Sequence, residues 1–105
     1  MISKNSKIYI AGHNGMVGSA CLRELKNKGF SNIIGRSSKQ LDLRDQSKVE
    51  NFIKVEKPDI IIDAAAKVGG IHANNCYPYE FLMDNMLIQN NLIRSAHNQD
   101  INKFI

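Results

Sequence analysis

The feature of this sequence that most constrains its fold is a glycine-rich turn, GHNGMVG, at residues 12–18. It joins a β-type run at 7–11 (KIYIA) to a segment at 16–28 in which apolar residues recur at helical spacing until Gly29. In such a junction the first glycine permits the tight turn, the second lets a pyrophosphate approach the backbone, and the third lets the helix pack close to the strand. The exposed amides and the positive end of the helix then face the phosphates, so the turn predicts a dinucleotide site.

This interpretation assigns candidate cofactor contacts to every residue of the turn. They are Gly12, His13, Asn14, Gly15, Met16, Val17 and Gly18. As a bare pattern the three glycines could provide only a turn and a helix contact, and the strand before them and the helix after them are what favour phosphate binding. His13 is interpreted as part of the turn, and His72 and His97 as structural, because none has a carboxylate or nucleophile at a useful spacing.

The rest of the chain alternates between strand and helix patterns. Strands are predicted at residues 32–35, 59–66 and 101–105, a short extended piece at 40–43, and helices at 46–57 and 78–100. Asp45 suits a helix N-cap, and Pro58 ends that helix. The run at 59–66 (DIIIDAAA) is nearly continuous in apolar residues, which is typical of a central strand covered on both faces of a parallel sheet. The apolar side of the last helix is expected to contain Phe81, Leu82, Ile88, Leu92, Ile93 and Ala96.

This order of elements predicts the fold class. Alternating strands and helices imply right-handed crossovers into a parallel sheet. We therefore expect an α/β fold, the N-terminal part of a doubly wound Rossmann or NAD(P)-binding domain with three α/β/α layers. A complete domain of this kind with a substrate pocket usually needs more than 105 residues, and the last predicted strand runs to the final residue. Residues 1–105 are thus expected to be an incomplete NAD(P)-binding domain without a substrate domain or catalytic segment.

Composition and charge exclude several classes of protein. The apolar share of 43% is ordinary for a globular protein, and the apolar stretches are too short to span a bilayer. The first residues do not resemble a secretory signal, so we expect a cytoplasmic protein without a membrane segment. The net charge of +4 comes from scattered lysines and arginines, which favours anionic nucleotides as ligands and not nucleic acid. Cys21 and Cys76 have no partners at ligand spacing, so neither a metal site nor a disulfide is expected.

The three-residue spacing of the first two glycines resembles the short-chain dehydrogenase/reductase superfamily, particularly its extended branch of sugar-nucleotide epimerases and dehydratases. Two other segments are similar to that branch. The sequence Asp42-Leu43-Arg44-Asp45 resembles its DLxD segment, which lies beside the adenine, and makes Asp42 and Leu43 candidate contacts. The tripeptide Ala64-Ala65-Ala66 resembles its strand-end alanines, which lie beside the cofactor.

A narrower resemblance is carried by GHNGMVGSA at 12–20, AAAKVGGIHANN at 64–75 and the Tyr77-Pro78 that follows. These segments closely resemble the GDP-L-fucose synthase family, whose members use NADPH to convert GDP-4-keto-6-deoxy-mannose into GDP-fucose by epimerisation and ketone reduction. The resemblance covers essentially all of the chain but only the front part of such an enzyme. It implies that Lys67 lies near cofactor and substrate, with a surface lysine as the alternative, and that a homodimer forms through the helix at 78–100.

The residues after the second predicted strand bear on the choice of cofactor. A carboxylate there would hold the 2′-hydroxyl of NAD, whereas a cation would accommodate the 2′-phosphate of NADP. The segment GRSSK at 35–39 has two cations and no acid, so NADP(H) is favoured over NAD, with Arg36, Ser38 and Lys39 as candidate contacts. The alternative is that both cations are solvated loop charges. Some members of the family have arginines at the positions of Asn14 and Ser38, which this sequence lacks.

No residue of the chain is a candidate for the catalytic step of hydride transfer. The superfamily uses a serine and a Tyr-x-x-x-Lys pair, in which the lysine lowers the pKa of the tyrosine. Here Tyr9, Tyr77 and Tyr79 are followed four positions later by His13, Phe81 and Met83. We therefore expect the isolated chain to be catalytically silent, with a GDP-sugar bound only by a longer enzyme. The alternatives are a non-catalytic nucleotide-binding or helix-mediated interaction module, a fragment of another extended-branch NAD-dependent enzyme, or a damaged reading frame.

Overall fold

The computed structural model describes residues 3–65, 78–101 and 103–105, and it describes the side chains of the last helix from Met83 onward. The strands of this part of the chain are β1 (Ile8–Ala11), β2 (Ile33–Ile34), β3 (Ile60–Asp63) and β4 (Lys103–Phe104). Its helices are α1 (Met16–Asn27), α2 (Gln46–Glu56) and α3 (Pro78–Asn98). Each element lies inside the segment in which the sequence pattern predicts it, and strands and helices alternate as expected.

The four strands form one parallel sheet in the order β2-β1-β3-β4. Tyr9 in β1 is paired with Ile34 on one side and with Ile61 on the other, and Ile61 is paired in turn with Phe104. The predicted parallel sheet is confirmed, and β3 lies in its interior beside β1. The chain leaves β1 for β2 on one side and then crosses to the other side for β3, so the strand order reverses between β1 and β3. Ligands of open parallel sheets bind beyond the carboxyl ends of the strands at such a reversal.

Helices cover both faces of the sheet, which gives the three predicted layers. The core beneath α2 and α3 includes Tyr9, Ala11, Val49, Ile53, Ile61, Ile88, Leu92 and Ala96. On the opposite face, Ile8, Ile10 and Ile60 pack against Cys21, Leu22 and Leu25 of α1. Because successive strand residues point to opposite faces and both faces are covered, consecutive residues of the inner strands are apolar.

The ends of the helices follow the predicted capping chemistry. Asp45 Oδ1 accepts a hydrogen bond from the amide of Lys48 at 3.2 Å, which confirms Asp45 as the N-cap of α2. Lys57 then adopts a left-handed φ of 44° and Pro58 follows, so α2 cannot continue. Helix α3 ends at Asn98, two residues before the predicted end. Asp100 adopts a left-handed backbone conformation with a φ of 58°, which a helix cannot contain.

The prediction of an extended piece at 40–43 is wrong. The backbone amides at the start of this segment form hydrogen bonds within a local turn and do not pair with a strand. The amides of Gln40 and Leu41 donate to the carbonyl oxygen of Ser37 at 3.0 and 2.9 Å. Leu41 is buried, and Leu43 packs partly buried against the core beneath α2 and α3. The alternation of apolar residues therefore comes from a loop whose two leucines face the core.

Helix α3 buries one face and exposes the other. Ile88, Leu92 and Ala96 are buried as predicted, but Ile93 is 45% exposed because it lies about 100° around the helix from Leu92. Phe81 and Leu82, also expected on the apolar side, lie outside the described side chains. The exposed face carries four apolar residues that we call the outer stripe: Met83, Met86, Leu87 and Ile93. Among the described residues, no helix is both long enough and apolar enough to cross a membrane.

Candidate functional site

A cavity of about 480 Å³ lies beyond the carboxyl ends of the strands, beside the reversal of strand order. Its lining residues are Gly12, Arg36, Ser38, Leu41, Asp42, Leu43, Arg44, Ala65 and Ile88. This volume is within the range of small-molecule sites. The cavity brings together the glycine turn, the end of β2, the loop before α2 and the end of β3, which are the four segments that the sequence predicts to meet.

A second groove, of about 570 Å³, lies at the other end of the strands, where β3 and β4 begin. It is lined by polar residues at the amino ends of β3 and β4, among them Lys57, Asp59, Asp100 and Lys103. The larger volume does not favour it as the cofactor site, because ligands of parallel α/β sheets bind at the carboxyl ends of the strands.

Two of the three glycines in the turn are required by the fold. Gly12 has a φ of +81°, and a Cβ atom on it would stand 2.5 Å from the carbonyl oxygen of Ala64 at the end of β3. A Cβ atom on Gly18, in the first turns of α1, would overlap the carbonyl group of Gly12. These contacts hold the turn tightly between β1, β3 and α1, which agrees with the roles assigned to the first and third glycines.

Gly15 differs from the other two because the fold leaves room for a side chain there. The nearest atom to a Cβ on this residue would be the carbonyl oxygen of Gly12, at 3.4 Å. Gly15 is the N-cap of α1 and has no side chain that could accept a capping hydrogen bond. The first turn of the helix also contains no acidic residue. The amides at the start of α1 therefore have neither a capping side chain nor an acidic neighbour in the first turn, which is the condition under which a helix start can bind an anion. Asn14, Met16 and Val17 are exposed around them.

His13 packs against the end of β2. A Cβ atom on Gly35 would overlap the imidazole ring of His13. A residue with a side chain at position 35 would therefore displace His13. The Nδ1 atom of His13 is buried and has no hydrogen-bond partner in the described part of the chain. The interpretation of His13 as part of the turn agrees with this packing. The matching requirement at Gly35 was missed, since the two residues meet only in the folded chain.

Arg36 lies at the point where β2 ends and lines the cavity. Its Nη1 atom donates to the carbonyl oxygen of Gly35 at 2.8 Å, and its guanidinium carbon lies 5.2 Å from the centre of the Phe52 ring. Ser38 lines the same cavity. Lys39 is exposed and is absent from the lining of that cavity. Of the three candidate contacts for a 2′-phosphate, two therefore converge on the cavity.

The loop before α2 is held by its own charges. The Asp42 carboxylate accepts hydrogen bonds from Arg44 Nε and Nη2, both at 3.1 Å, and from the Arg44 amide at 3.0 Å. These bonds lower the pKa of Asp42 below its ordinary value, so it is ionised at neutral pH. The carboxylate oxygens thus form an acceptor at the cavity wall, which suits an amino group such as that of adenine.

Helix α3 fastens this loop to the rest of the domain. The buried Asn91 donates its Nδ2 to the carbonyl oxygen of Leu43 at 2.9 Å. Arg44 Nη1 lies 3.8 Å from Asp84 Oδ2 on the same helix. The sequence interpretation missed both helix residues. A signal was present for Asn91, which is a polar residue next to Leu92 on the face predicted to be apolar.

The end of β3 closes the cavity from below. The amide of Ala64 donates to the carbonyl oxygen of Ala11 at 2.9 Å, and the amide of Ala65 donates to Asp63 Oδ1 at 3.1 Å. Ala65 lines the cavity, whereas Ala64 contributes through its carbonyl group against Gly12. Ala66 and Lys67, the other candidates in this segment, lie outside the described residues.

The described part of the chain contains no cluster of metal-binding side chains, and its one tyrosine with a described side chain is not placed for acid–base chemistry. Burial raises the pKa of Tyr9, and the charge of Asp63 adds to the rise, so Tyr9 remains a neutral core residue. No group of three histidine, cysteine, aspartate or glutamate residues among the described ones could hold a metal ion. The cavity instead brings together the cation of Arg36, the hydroxyl of Ser38 and the carboxylate of Asp42, an arrangement suited to an anionic nucleotide.

A family model described as the NAD dependent epimerase/dehydratase family matches residues 8–105. Among curated relatives, the putative GDP-L-fucose synthase 2 of Arabidopsis thaliana is 50% identical over 105 residues, covering 100% of this chain and 32% of that protein. The GDP-L-fucose synthase of Escherichia coli is 46% identical over 99 residues, covering 94% of this chain and 31% of that protein. The chain thus spans about a third of the length of these relatives.

Solved structures give the same result for the fold. A GDP-mannoheptose C4 reductase from Campylobacter jejuni with NADP bound superposes with a TM-score of 0.93 at 36% identity, covering 99% of this chain and 33% of that one. A GDP-L-fucose synthetase from Naegleria fowleri bound to NADP superposes with a TM-score of 0.83 at 25% identity, covering 99% of this chain and 31% of that one. The Rossmann-type architecture expected from the order of elements is confirmed.

Proposed function

The chain belongs to the NAD dependent epimerase/dehydratase family, and from that premise we propose that it forms the NADPH-binding part of a GDP-L-fucose synthase-like epimerase/reductase. The observation that carries the proposal is the cavity in which the glycine turn, Arg36 and Asp42 converge at the reversal of strand order. The relatives of highest identity given above are GDP-L-fucose synthases, and the similarity to them covers nearly the whole chain.

In this proposal the glycine turn binds the pyrophosphate of the cofactor. Gly15 leaves space for the phosphates, and the uncapped amides of α1 supply hydrogen-bond donors and the positive end of the helix dipole. Met16 and Val17, exposed beside those amides, would cover the phosphates from the solvent side. Asp42 would accept from the adenine amino group, and Ala65 would lie beside the adenosine.

We assign the 2′-phosphate of NADP(H) to Arg36 and Ser38. Arg36 supplies a positive charge and Ser38 a hydroxyl donor at the cavity, while the segment 35–39 directly after β2 contains no carboxylate to hold a free 2′-hydroxyl. Two of the structural relatives hold NADP, which supports the same choice. When bound, NADPH supplies the hydride for reduction of a ketone.

The substrate and partners belong to the whole protein and are part of the proposal. The substrate would be a GDP-4-keto-6-deoxy sugar, with Lys67 placed near cofactor and substrate. The expected partner is a second copy that packs against the outer stripe of α3, since its four apolar residues are between 40% and 48% exposed. The second candidate function, a helix-mediated interaction module without nucleotide binding, rests on the same stripe.

The test is a titration of the purified chain with NADPH and with NADH, followed by nucleotide fluorescence. We expect tighter binding of NADPH. Arg36→Ala should remove that preference by weakening NADPH alone roughly 10- to 100-fold, the value of a charge-assisted hydrogen bond of about 1.5–3 kcal/mol. Lys54→Ala removes an exposed cation from α2 and serves as the matched control. Equal affinity for both nucleotides in the unmodified chain would contradict the proposed cofactor, and absence of binding would favour the interaction module.

A further inference from the structure

Three charged side chains form a chain of contacts beside α2 and behind the candidate 2′-phosphate site. Glu56, the last residue of α2, places its Oε1 atom 2.7 Å from Lys7 Nζ and its Oε2 atom 3.7 Å from Arg36 Nη2. Lys7 immediately precedes β1, and Arg36 follows β2. The glutamate therefore links the residue before β1 to the segment after β2, with one carboxylate oxygen facing each cation.

The contact with Glu56 adds to two others that restrict Arg36. The guanidinium donates to the carbonyl oxygen of Gly35 and lies over the Phe52 ring, and Glu56 Oε2 forms an ion pair with another of its nitrogens at 3.7 Å, longer than a hydrogen bond. Arg36 is 34% exposed, so part of its side chain remains open to solvent while it lines the cavity. A long flexible side chain held by three contacts in the unbound protein loses less conformational freedom when an anion binds.

Lys7 determines how much positive charge remains for a ligand. Glu56 without a partner would neutralise Arg36, but its shorter contact is with Lys7, and the three groups together carry one net positive charge. The hydrogen bond from Lys7 and the charges of both cations lower the pKa of Glu56, so it is ionised at neutral pH. Glu56 can thus orient Arg36 while the site remains attractive to a phosphate.

We propose that Glu56 is a positioning residue for Arg36 and, through it, raises the preference of the cavity for a nucleotide with a 2′-phosphate over one with a free 2′-hydroxyl. The inference rests on the proposed function, since it takes Arg36 as the contact for that phosphate. Glu56 does not line the cavity that would hold the nucleotide. Its effect is therefore expected in the ratio of the two affinities and not in the binding of both cofactors.

The experiment compares Glu56→Gln with Glu50→Gln in the full chain. Both substitutions remove one negative charge from α2, but Glu50 accepts a hydrogen bond from Asn98 at 3.2 Å and faces α3, away from Arg36. Each protein is titrated with NADPH and with NADH at the same ionic strength, and its thermal unfolding is recorded. We expect Glu56→Gln to lower the ratio of NADPH to NADH affinity about threefold, the size typical of a partly exposed ion pair. Glu50→Gln should leave the ratio unchanged.

Glu56→Asp is the second variant and keeps the test decisive if Glu56→Gln fails to fold. It retains the negative charge on a side chain one methylene shorter, which draws the carboxylate away from Arg36 Nη2, so the same ratio should fall. An unchanged ratio in a folded Glu56→Gln protein would overturn the inference, and a raised ratio would overturn it by showing that Glu56 competes with the phosphate for Arg36. If the unmodified chain itself does not prefer NADPH, the cofactor assignment fails and this inference fails with it.

Discussion

At the scale of single residues, the three glycines of the turn differ in what a side chain on each would contact. At Gly12 and Gly18 an added Cβ atom meets the backbone of the protein, so substitution there damages the fold. At Gly15 an added Cβ atom would meet only the carbonyl oxygen of Gly12, at 3.4 Å, which is a van der Waals contact that the fold can accept. Packing therefore does not require a glycine at this position, and among the three glycines Gly15 is the one at which stability and the proposed binding can be separated experimentally.

Gly15→Asp should stabilise the protein and abolish its cofactor binding. Gly15 has a φ of −77° and a ψ of 174°, the ordinary conformation of an N-cap, where aspartate is among the favoured residues and its charge complements the helix dipole. We expect the free energy of unfolding to rise by about 0.5–1 kcal/mol. The same carboxylate would repel a pyrophosphate, so the affinity for NADPH should fall at least about tenfold. Chemical denaturation and nucleotide titration measure the two effects.

Gly15→Ser is the matched control for this prediction, because it supplies an N-cap side chain without the charge. It should retain more NADPH affinity than the aspartate variant at similar stability. If Gly15→Asp bound NADPH as tightly as the unmodified chain, the pyrophosphate would not lie at the start of α1.

At the scale of elements, α3 supports the site although it contributes few residues to the cavity wall. It fastens the loop between β2 and α2 through the buried Asn91, whose amide reaches the carbonyl oxygen of Leu43. The described part of this loop is not paired with a strand, and its Leu43 carbonyl oxygen accepts a hydrogen bond from a helix side chain instead. The geometry of Asp42 in the cavity thus depends on Asn91, which lies 48 residues after Leu43 in the sequence.

Asn91→Ala should loosen this loop and weaken cofactor binding. It leaves the Leu43 carbonyl without its partner, and an unsatisfied buried group costs about 1–3 kcal/mol of stability. Hydrogen exchange should be faster at the Arg44 amide, which now bonds to Asp42, and NADPH affinity should fall severalfold. Asn90→Ala, a neighbouring exposed asparagine, is the control, with a change within about 0.5 kcal/mol. Unchanged exchange in the loop of Asn91→Ala would contradict the anchoring role.

The sequence was sufficient for the elements because their causes are local. Apolar periodicity, the Asp45 cap and Pro58 locate α2 without any knowledge of its neighbours. The prediction failed for the loop at 40–43, where the alternation of leucines imitates a strand. The competing signal was local, since Ser37 and Gln40 have the capping-box spacing and exchange hydrogen bonds that turn the chain there. The contacts of His13 with Gly35 and of Glu56 with Arg36 could not be predicted, because each joins two segments that are brought together only by the sheet.

In the whole molecule, the strand order β2-β1-β3-β4 explains why the glycine turn, Arg36 and Asp42 all lie at one cavity. The reversal of strand order lies between β1 and β3, and residues that closely follow β1, β2 and β3, namely Gly12, Arg36 and Ala65, line the cavity at the carboxyl ends of the strands. The outer stripe of α3 lies on the same helix that fastens the loop between β2 and α2 through Asn91. One helix therefore connects the proposed cofactor site with the proposed contact between two copies of the chain.

If the outer stripe joins two copies, a charge within it should separate them. Ile93→Lys places a cation at a position that would be buried twice in a two-fold symmetric contact, and burying such a charge without a partner is costly. Sedimentation should show a dimer for the unmodified chain and a monomer for this variant, while NADPH binding remains measurable because Ile93 does not line the cavity. Gln89→Lys adds the same charge at an exposed polar position of α3 and should leave the dimer intact. A dimer that persists in Ile93→Lys would assign the contact to another surface, and a dimer that binds no nucleotide would favour the interaction module over the epimerase/reductase.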